Sequence, residues 1–292
     1  MSASTLTGRA VLRLRPRSVA ALAVSSVIGL LAYGWPFLVD GASELGGHAT
    51  DAPYIFLTLL PLVVAVVLAE LAEGGMDAKA VAMLGVLAAV GSALRALSPG
   101  TGGFEPTFFV VLLGGRVFGA GFGFALGSLV IVASALVTGG VGPWMPFQML
   151  GLAWVGLFAG CLPRTRRGEL LVLAGYAVLA SLLFGLLINL SAWPFAMSLP
   201  AGMAPEPGAG PATNVQNYLT FWLATSLGWD VIRAVVNAAL VLVAGRPVLA
   251  TLRRAARRAA FEAPVRFEPA IPRPVRPAEQ SRGPSVRDVP VE

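Results

Sequence analysis

Residues 105–138 read EPTFFVVLLGGRVFGAGFGFALGSLVIVASALVT, and only Glu105 and Arg116 among them carry a charge. An apolar stretch of this length belongs in a membrane, because a helix of about 20 apolar residues spans the ~30 Å hydrocarbon layer. We predict two helices here, over 105–116 and 118–138. The first would cover only about 18 Å at 1.5 Å per residue, which indicates a helix that is tilted, shielded by neighbouring helices or half re-entrant.

The same apolar pattern continues on both sides of this stretch. Further segments of membrane-helix type cover residues 18–39, 53–72, 77–97, 144–162, 169–195 and 218–245. Of the 292 residues, 56% are hydrophobic and 12% are charged, whereas about 25% are charged in a soluble domain. The first segment is longer than the apolar part of a signal peptide, and no Ala-x-Ala site follows it, so we interpret it as a retained helix. The sequence therefore predicts an all-α polytopic membrane protein.

Basic residues occur on alternate sides of the predicted helices. No Lys or Arg occurs in four loops, at 40–52, 98–104, 139–143 and 198–217. The regions between these loops do contain basic residues, at Lys79, at Arg116, in the Arg164–Arg167 cluster and in the run Arg246–Arg258. Short loops that retain Lys and Arg stay in the cytoplasm. We therefore predict a multi-pass protein of the cell membrane with eight crossings and both termini cytoplasmic.

Several chemistries lack the residues that they require. The single histidine, His48, falls in a loop, so a His-pair metal site or a buried Ser-His-Asp triad cannot be assembled, and we predict no catalytic or metal site. The only lysine, Lys79, follows Ala78, whereas a nucleotide-binding P-loop needs a Gly-Lys pair. The net charge of +6 comes from residues beside apolar segments and does not indicate nucleic-acid binding. We expect a protein without a cofactor of its own that moves or binds a solute.

Small residues form a stripe along the third segment. They follow steps of four, three, four and four: Ala78, Ala82, Gly85, Ala89 and Ala93. Such a face lets another helix backbone approach closely within a membrane. The spacing fits packing within this chain and docking of a separate subunit equally well. The glycines at 114–123 and 139–142 lack the βαβ context of a phosphate loop, and we interpret them as tight turns between helices.

Polar side chains inside the apolar segments are candidates for function. Asp230 and Arg233 lie near the middle of the last segment, at a spacing that puts them on one helix face. An ionised side chain at the bilayer centre costs about 2.5–3.5 kcal/mol. This pair is therefore either structural or part of a substrate cavity or gate. Asn189, Gln148 and Asn237 fit interhelical hydrogen bonds.

A second set of candidates lies toward the outer interface. Arg95 follows Lys79 by sixteen residues, which is about 24 Å along a helix. Other residues near this level are Phe104, Glu105, Phe108, Trp144, Gln148, Trp193 and Tyr218. The aromatic residues fit an ordinary interfacial belt, or the mouth of a site for a large, partly flat ligand. The predicted substrate-binding residues are Arg95, Phe104, Glu105, Phe108, Trp144, Gln148, Asn189, Trp193, Asp230 and Arg233.

Several short motifs occur in a characteristic order between residues 77 and 258. They are Ala78-x-x-x-Ala82, Phe104-Glu105-Pro106-Thr107-Phe108-Phe109, Gly115-Arg116-Val117-Phe118-Gly119, Phe122-Gly123-Phe124, the run from Thr138 to Trp144, Pro146-Phe147-Gln148-Met149 and the run from Gly156 to Gly160. In these motifs the chain resembles the S components of energy-coupling-factor (ECF) vitamin transporters, which are their substrate-binding membrane subunits. The Val-Gly-Pro-Trp and Pro-Phe-Gln-Met runs resemble most the branch associated with cobalamin.

This resemblance implies a six-helix core over 77–258 with a basic helix end. The chain would add to that core a basic N-terminus (1–17), an extra helix pair (18–72) and a disordered cytoplasmic tail (259–292). The protein would bind a micronutrient outside and deliver it by toppling with an ECF transmembrane coupling subunit and two ATPase subunits, which use the ATP. The small-residue stripe would be the docking face for the coupling subunit, and the loop at 98–104 would belong to a lid.

Two other functions remain open on the sequence. An autonomous secondary transporter would have broken helices and inverted repeats, and no convincing repeat is evident. A membrane scaffold or assembly protein would account for the basic helix end and the tail.

Overall fold

The computed structural model describes residues 15–38, six residues between 61 and 69, and residues 78–98, 102–165, 168–196, 198–206 and 208–259. In these ranges the chain forms α1 (Pro16–Leu38), α2 (Ala78–Ala96), α3 (Thr107–Phe118), α4 (Ala120–Thr138), α5 (Met145–Cys161), α6 (Glu169–Ala192), a 3₁₀ turn (Trp193–Phe195), α7 (Pro211–Thr225) and α8 (Leu227–Ala259). The predicted all-α class is confirmed. Most of the predicted helix at 53–72, and the predicted tail after residue 259, lie outside the described residues.

Five of the described helices are long and apolar enough to cross a membrane, namely α1, α2, α4, α6 and α8. The helices α3 and α5 are shorter and apolar. Nearly every side chain of α3 is buried, and Val117 is its one half-buried exception. Of the three interpretations of the short segment, its burial supports shielding by neighbouring helices, which removes the need for a full span facing lipid.

The last predicted segment, at 218–245, is wrong in its bounds. The structure divides it at Ser226, where α7 ends and α8 begins. The Ser226 backbone leaves the helical region (φ −124°, ψ −26°), and its carbonyl oxygen accepts the N–H groups of Trp229 and Asp230. A serine at a helix N-cap is favoured because its hydroxyl oxygen can accept a backbone N–H group of the first helical turn. Here the Ser226 hydroxyl group donates to Asn189 Oδ1 at 2.9 Å.

Glycines bring α3, α4 and α5 into backbone contact. A Cβ atom added at Gly115 or Gly123 would overlap the carbonyl oxygen of Gly156, and one at Gly156 would overlap that of Gly123. Gly115 and Gly123 lie inside α3 and α4, so their interpretation as turn residues was wrong. The turns are made by Gly119 (φ 104°) and Gly139 (φ 68°), whose positive φ angles favour glycine.

The first helix is attached to this bundle along α5. The Tyr33 hydroxyl group donates to the Phe147 carbonyl oxygen at 2.6 Å, and the Trp154 indole N–H donates to Ser26 Oγ at 3.0 Å. A Cβ atom at Gly29 would overlap the Leu150 side chain. The helix α1 therefore packs on the core through specific contacts.

Arg116, predicted at the end of the helix at 105–116 as a charge on the cytoplasmic side, has specific partners in the structure. It is buried in the last turn of α3, with Nε 2.9 Å from Glu169 Oε1. Its two terminal nitrogens donate to the carbonyl oxygens of Leu162 and Pro163 at 2.7 and 3.1 Å. Arg253 of α8 binds the same Glu169 oxygen. A buried guanidinium group thus joins α3 to the start of α6, and Glu169 extends the link to α8.

Candidate functional site

A carboxylate at the start of α3 holds two arginines from different helices. Glu105 Oε1 lies 2.8 Å from Arg95 Nη1 at the end of α2, and Glu105 Oε2 lies 2.8 Å from Arg233 Nε in α8. The three side chains are between 13% and 25% exposed. Charge-assisted hydrogen bonds of this kind are stronger than neutral ones. Glu105 therefore joins α2 and α8 at one level.

The predicted pair of Asp230 and Arg233 is confirmed, and it extends the network. Arg233 Nη1 donates to Asp230 Oδ1 at 2.6 Å. The indole N–H of Trp222 in α7 donates to the other oxygen, Oδ2, at 2.8 Å. Asp230 lies directly against α6, because a Cβ atom at Gly185 would overlap its carboxylate. The Asp230 side chain is thereby enclosed by α6, α7 and α8.

Two amides complete the polar connections. Gln148 Oε1, at the start of α5, accepts Arg95 Nη2 at 2.7 Å. Asn237 Oδ1 accepts the backbone N–H of Phe109 at 2.9 Å, and Asn237 Nδ2 donates to the carbonyl oxygen of Glu105 at 2.8 Å. The expectation of interhelical hydrogen bonds is confirmed for both amides. Asn237 fixes the beginning of α3 against α8.

Aromatic rings lie under the Arg233 guanidinium group. Its Cζ atom is 5.6 Å from the centroid of the Phe108 ring and 5.4 Å from that of Phe184. The two rings meet edge to face at 4.9 Å. Cations are attracted to ring faces at these distances, so the rings support the position of Arg233.

Asn189 lies beside this network. Its Nδ2 atom donates to the Gly185 carbonyl oxygen within α6, while its Oδ1 atom accepts the Ser226 hydroxyl group. It therefore joins α6 to the break between α7 and α8. Asn189 bonds to the Gly185 carbonyl oxygen, and the Asp230 carboxylate lies against Gly185, so both side chains lie close to Gly185 of α6.

The predicted lid loop contacts the first turn of α8. Gly102 and Gly103 have positive φ angles of 57° and 83°. A Cβ atom at Gly103 would overlap the carbonyl oxygen of Trp229. The described end of this loop therefore approaches α8 closely, two residues before Glu105.

Three predicted aromatic residues are not brought into the network. Phe104 is 49% exposed and borders an apolar groove formed by α2, α3 and α8. Trp144 is 51% exposed and lies over Gly142. Trp193 is fully buried, packs on Tyr218 at 5.3 Å and donates its indole N–H to the Met203 carbonyl oxygen. These positions fit packing and interface roles at least as well as ligand contact.

The contributions of Trp222, Gly185 and Gly103 were not predicted from the sequence. Trp222 lay in an apolar run next to other aromatic residues, so its indole N–H gave no distinct signal. Gly185 and Gly103 act by leaving space, which a single sequence does not display. Glu169 was also missed, although an acidic residue beside the Arg164–Arg167 cluster could have indicated an ion pair.

The network contains two cations and two carboxylates, so its formal charges cancel. No group of three His, Cys, Asp or Glu side chains among the described residues could hold a metal ion. Partly exposed guanidinium, amide and carboxylate groups offer both donors and acceptors to a ligand. The arrangement is suited to binding.

The predicted docking stripe is open on the surface of α2. Ala78, Ala82, Gly85, Ala89 and Ala93 are all exposed. The residues of α2 that pack on the core are others, among them Ala80, Leu84 and Gly91. Packing of the stripe against the described helices of this chain is therefore not observed.

Together these features define a multi-pass helical membrane protein with a polar network among its helices. A family model described as "ECF transporter, substrate-specific component" matches residues 79–245. The chain belongs to this family. No curated protein and no solved structure shows significant similarity to it. The matched residues include α2 to α7 and most of α8, and exclude α1.

Proposed function

We propose that this protein captures a vitamin or related micronutrient on the outer face of the cell membrane, with cobalamin as the specific candidate. It delivers the ligand inward with an ECF coupling subunit and two ATPase subunits. The observation that carries the proposal is the contact of Glu105 with Arg95 and Arg233. This contact joins α2, α3 and α8 around partly exposed polar groups within the matched region.

The charge balance of the network bears on the ligand. Both arginines already have carboxylate partners, so a ligand of high net charge would find no unpaired countercharge in these four residues. A large ligand with uncharged hydrogen-bonding groups suits such a site, because Arg95 and Gln148 have further N–H donors that it could use without breaking an ion pair. Cobalamin is a ligand of this kind.

The ligand is tested on protein purified from its own membranes. We expect a corrinoid absorbance spectrum and a matching mass in native mass spectrometry. We also expect thermal stabilisation by a corrinoid within a panel of vitamins. Stabilisation by another vitamin alone would identify that vitamin, and not cobalamin, as the ligand. The absence of stabilisation by any vitamin would contradict the proposal that the protein captures a vitamin.

The small-residue stripe supports docking of the coupling subunit. Its exposed, nearly smooth surface would allow a foreign helix backbone to approach closely. We expect Ala82→Leu with Ala89→Leu to abolish copurification with the coupling subunit while corrinoid stabilisation persists. The control, Val81→Leu with Val86→Leu, changes exposed positions beside the stripe and should copurify normally.

Transport by the chain alone is the competing possibility. Substrate uptake into vesicles that contain only this protein, without ATPase subunits, would favour a secondary transporter. We expect no uptake until the coupling module is added.

The orientation is part of the proposal. In a Cys161→Ser background, Leu199→Cys should react with a membrane-impermeant maleimide applied from outside intact cells. Thr251→Cys should react only after the cells are opened. The reverse pattern would contradict cytoplasmic termini.

A further inference from the structure

The polar network has the form of a chain with two ends. At one end, Gln148 of α5 accepts a hydrogen bond from Arg95. At the other end, Trp222 of α7 donates its indole N–H to Asp230. The ion pairs of Glu105 lie between these ends. Gln148 and Trp222 are neutral, so an ion pair holds neither of them, and their positions depend on how α5 and α7 are packed.

The helix α1 contacts α5 directly beside Gln148. The Tyr33 hydroxyl group donates to the carbonyl oxygen of Phe147 at 2.6 Å, and Tyr33 is only 1% exposed. The rings of Tyr33 and Phe147 lie 5.1 Å apart. A Cβ atom at Gly151 would lie 3.2 Å from the Tyr33 hydroxyl oxygen, so this oxygen lies over the turn from 147 to 151. Tyr33 therefore binds the backbone of the residue that precedes Gln148.

The same end of α1 contacts α7. Phe37 follows Tyr33 by one helical turn, and its ring lies 5.9 Å from that of Trp193 and 6.2 Å from that of Tyr218. Tyr218 is buried and precedes Trp222 by four residues, which places both on one face of α7. The helix α1 thus packs beside both ends of the polar chain.

The contacts of α1 follow one face of the helix. They recur at steps of three, four and four residues, at Ser26, Gly29, Tyr33 and Phe37. Val27, Leu30 and Leu31, between these positions, are more than half exposed. This one-sided pattern fixes the rotation of α1 against the core. The helix lies outside the residues that match the family model, so its contacts are an addition of this chain.

We propose that α1 supports the ligand site, with Tyr33 as a positioning residue for Gln148 and Phe37 as a positioning residue for Trp222. Gln148 lies in the first turn of α5, which begins at Met145. The first turn of a helix frays easily because its leading N–H groups lack partners within the helix. The Tyr33 hydroxyl group ties this turn to α1 and so holds Gln148 against Arg95.

This inference rests on the proposed function, because it assigns a purpose to the fixed position of Gln148 and Arg95. Both side chains have further N–H donors for a ligand. Donors that are already held in place lose less conformational freedom on binding, and this raises affinity without a new contact. Tyr33 and Phe37 therefore act on the ligand only through the residues that they position.

The first test removes one hydroxyl group at a time from the contact between α1 and α5. Tyr33→Phe is compared with Ser26→Ala, which removes the acceptor of the Trp154 indole N–H about 10 Å further along α1. We expect Tyr33→Phe to weaken binding of cyanocobalamin about fivefold, as the loss of one hydrogen bond allows. Ser26→Ala should bind normally. Equal affinities of the two variants would overturn the role of Tyr33.

The second test asks whether Tyr33 acts through Gln148. Gln148→Ala removes a member of the site and should itself weaken binding. In that background Tyr33→Phe should cause no further loss, because the side chain that it positions is gone. Persistence of the whole fivefold loss in the double variant would overturn the assignment of Tyr33 to Gln148.

The same variants are compared without ligand by thermal unfolding. The effects of Tyr33→Phe and Gln148→Ala on unfolding temperature should not add, whereas those of Ser26→Ala and Gln148→Ala should add. Additive effects in the first pair would overturn the positioning role. Non-additive effects in a protein that binds no vitamin would support the positioning contact and refute the proposed function, so the two failures are distinguishable.

The contact of α1 with α7 is tested in the same way. Phe37→Leu should weaken cyanocobalamin binding about threefold, in line with the energy of an aromatic pair. This loss should disappear in a Trp222→Phe background. Phe195→Leu is the control, because its ring pairs with Trp35 at the same end of α1. Equal losses in Phe37→Leu and Phe195→Leu would overturn the role of Phe37.

Discussion

Arg233 and Glu105 lie 128 residues apart in the sequence, and their Nε and Oε2 atoms lie 2.8 Å apart in the structure. The other oxygen of the same carboxylate binds Arg95. A single side chain at the start of α3 therefore fixes the end of α2 to the first third of α8. If the loop before Glu105 moves together with Glu105, it must either break these contacts or move Arg95 and Arg233 as well.

Glu105→Gln is expected to destabilise the protein and to abolish ligand stabilisation. The substitution leaves Arg95 without a carboxylate and Arg233 with Asp230 alone. Removing one partner of a buried ion pair costs about 3–5 kcal/mol, and the partial exposure of this site should reduce that to about 2 kcal/mol. Thermal unfolding in detergent, with and without corrinoid, measures both effects. Glu206→Gln, at an exposed glutamate before α7, is the control, and equal behaviour of the two variants would refute the role of Glu105.

Gly185→Ala is expected to displace the Asp230 carboxylate. The added methyl group would overlap that carboxylate, so the contacts of Asp230 with Trp222 and Arg233 cannot both persist. We expect a loss of about 2 kcal/mol in stability, in line with overpacking of a close contact. Tryptophan fluorescence should also report the altered environment of Trp222. Gly175→Ala in the same helix meets no atom within 4 Å and should be neutral or slightly stabilising.

Gly156→Ala is expected to separate α4 from α5. The methyl group would overlap the carbonyl oxygen of Gly123, which is backbone and cannot rotate away. Overpacking of this type costs about 1–3 kcal/mol or more. Expression level and unfolding temperature should fall together. The control is Gly85→Ala, which adds a methyl group in open space on α2. Equal unfolding temperatures of Gly156→Ala and Gly85→Ala would contradict the close packing of α4 on α5.

Arg116→Lys is expected to destabilise the helix ends that meet at Glu169. The guanidinium group binds Glu169 and two carbonyl oxygens in a fixed geometry, which one ammonium group cannot reproduce. Each buried acceptor left without a donor costs about 1–3 kcal/mol. Thermal unfolding measures the loss, and Arg257→Lys, at an exposed arginine of α8, should have no effect. Retention of full stability by Arg116→Lys would show that the three contacts are energetically unimportant.

Helix type and approximate position were predictable because spanning a bilayer demands long apolar runs. The pairing of Asp230 with Arg233 was also predictable, since both lie on one helix face within three residues. The network around Glu105 was not, because its four charged side chains come from α2, the start of α3 and α8, and nothing in a single sequence specifies which helices are neighbours. Sequence spacing likewise could not reveal that Ser226 ends one helix and begins another, as no proline marks the break.

The roles of individual glycines were also not predictable from a single sequence. Gly119 and Gly156 look alike in the sequence, yet one supplies a positive φ angle and the other a backbone contact. The difference depends on the facing helix. The ion pair of Arg116 was not predicted for a related reason, since its partner Glu169 is distant in sequence.

The backbone contacts among Gly115, Gly123 and Gly156 have a mechanical consequence. Helices that touch through main-chain atoms have no flexible side chains between them to absorb a shift, so α3, α4 and α5 should behave as one stiff body. Deformation during a transport cycle then concentrates in parts held by side chains, namely α7 and the junction at Ser226. Selection experiments should accordingly find these three glycines intolerant of substitution whatever ligand the protein carries.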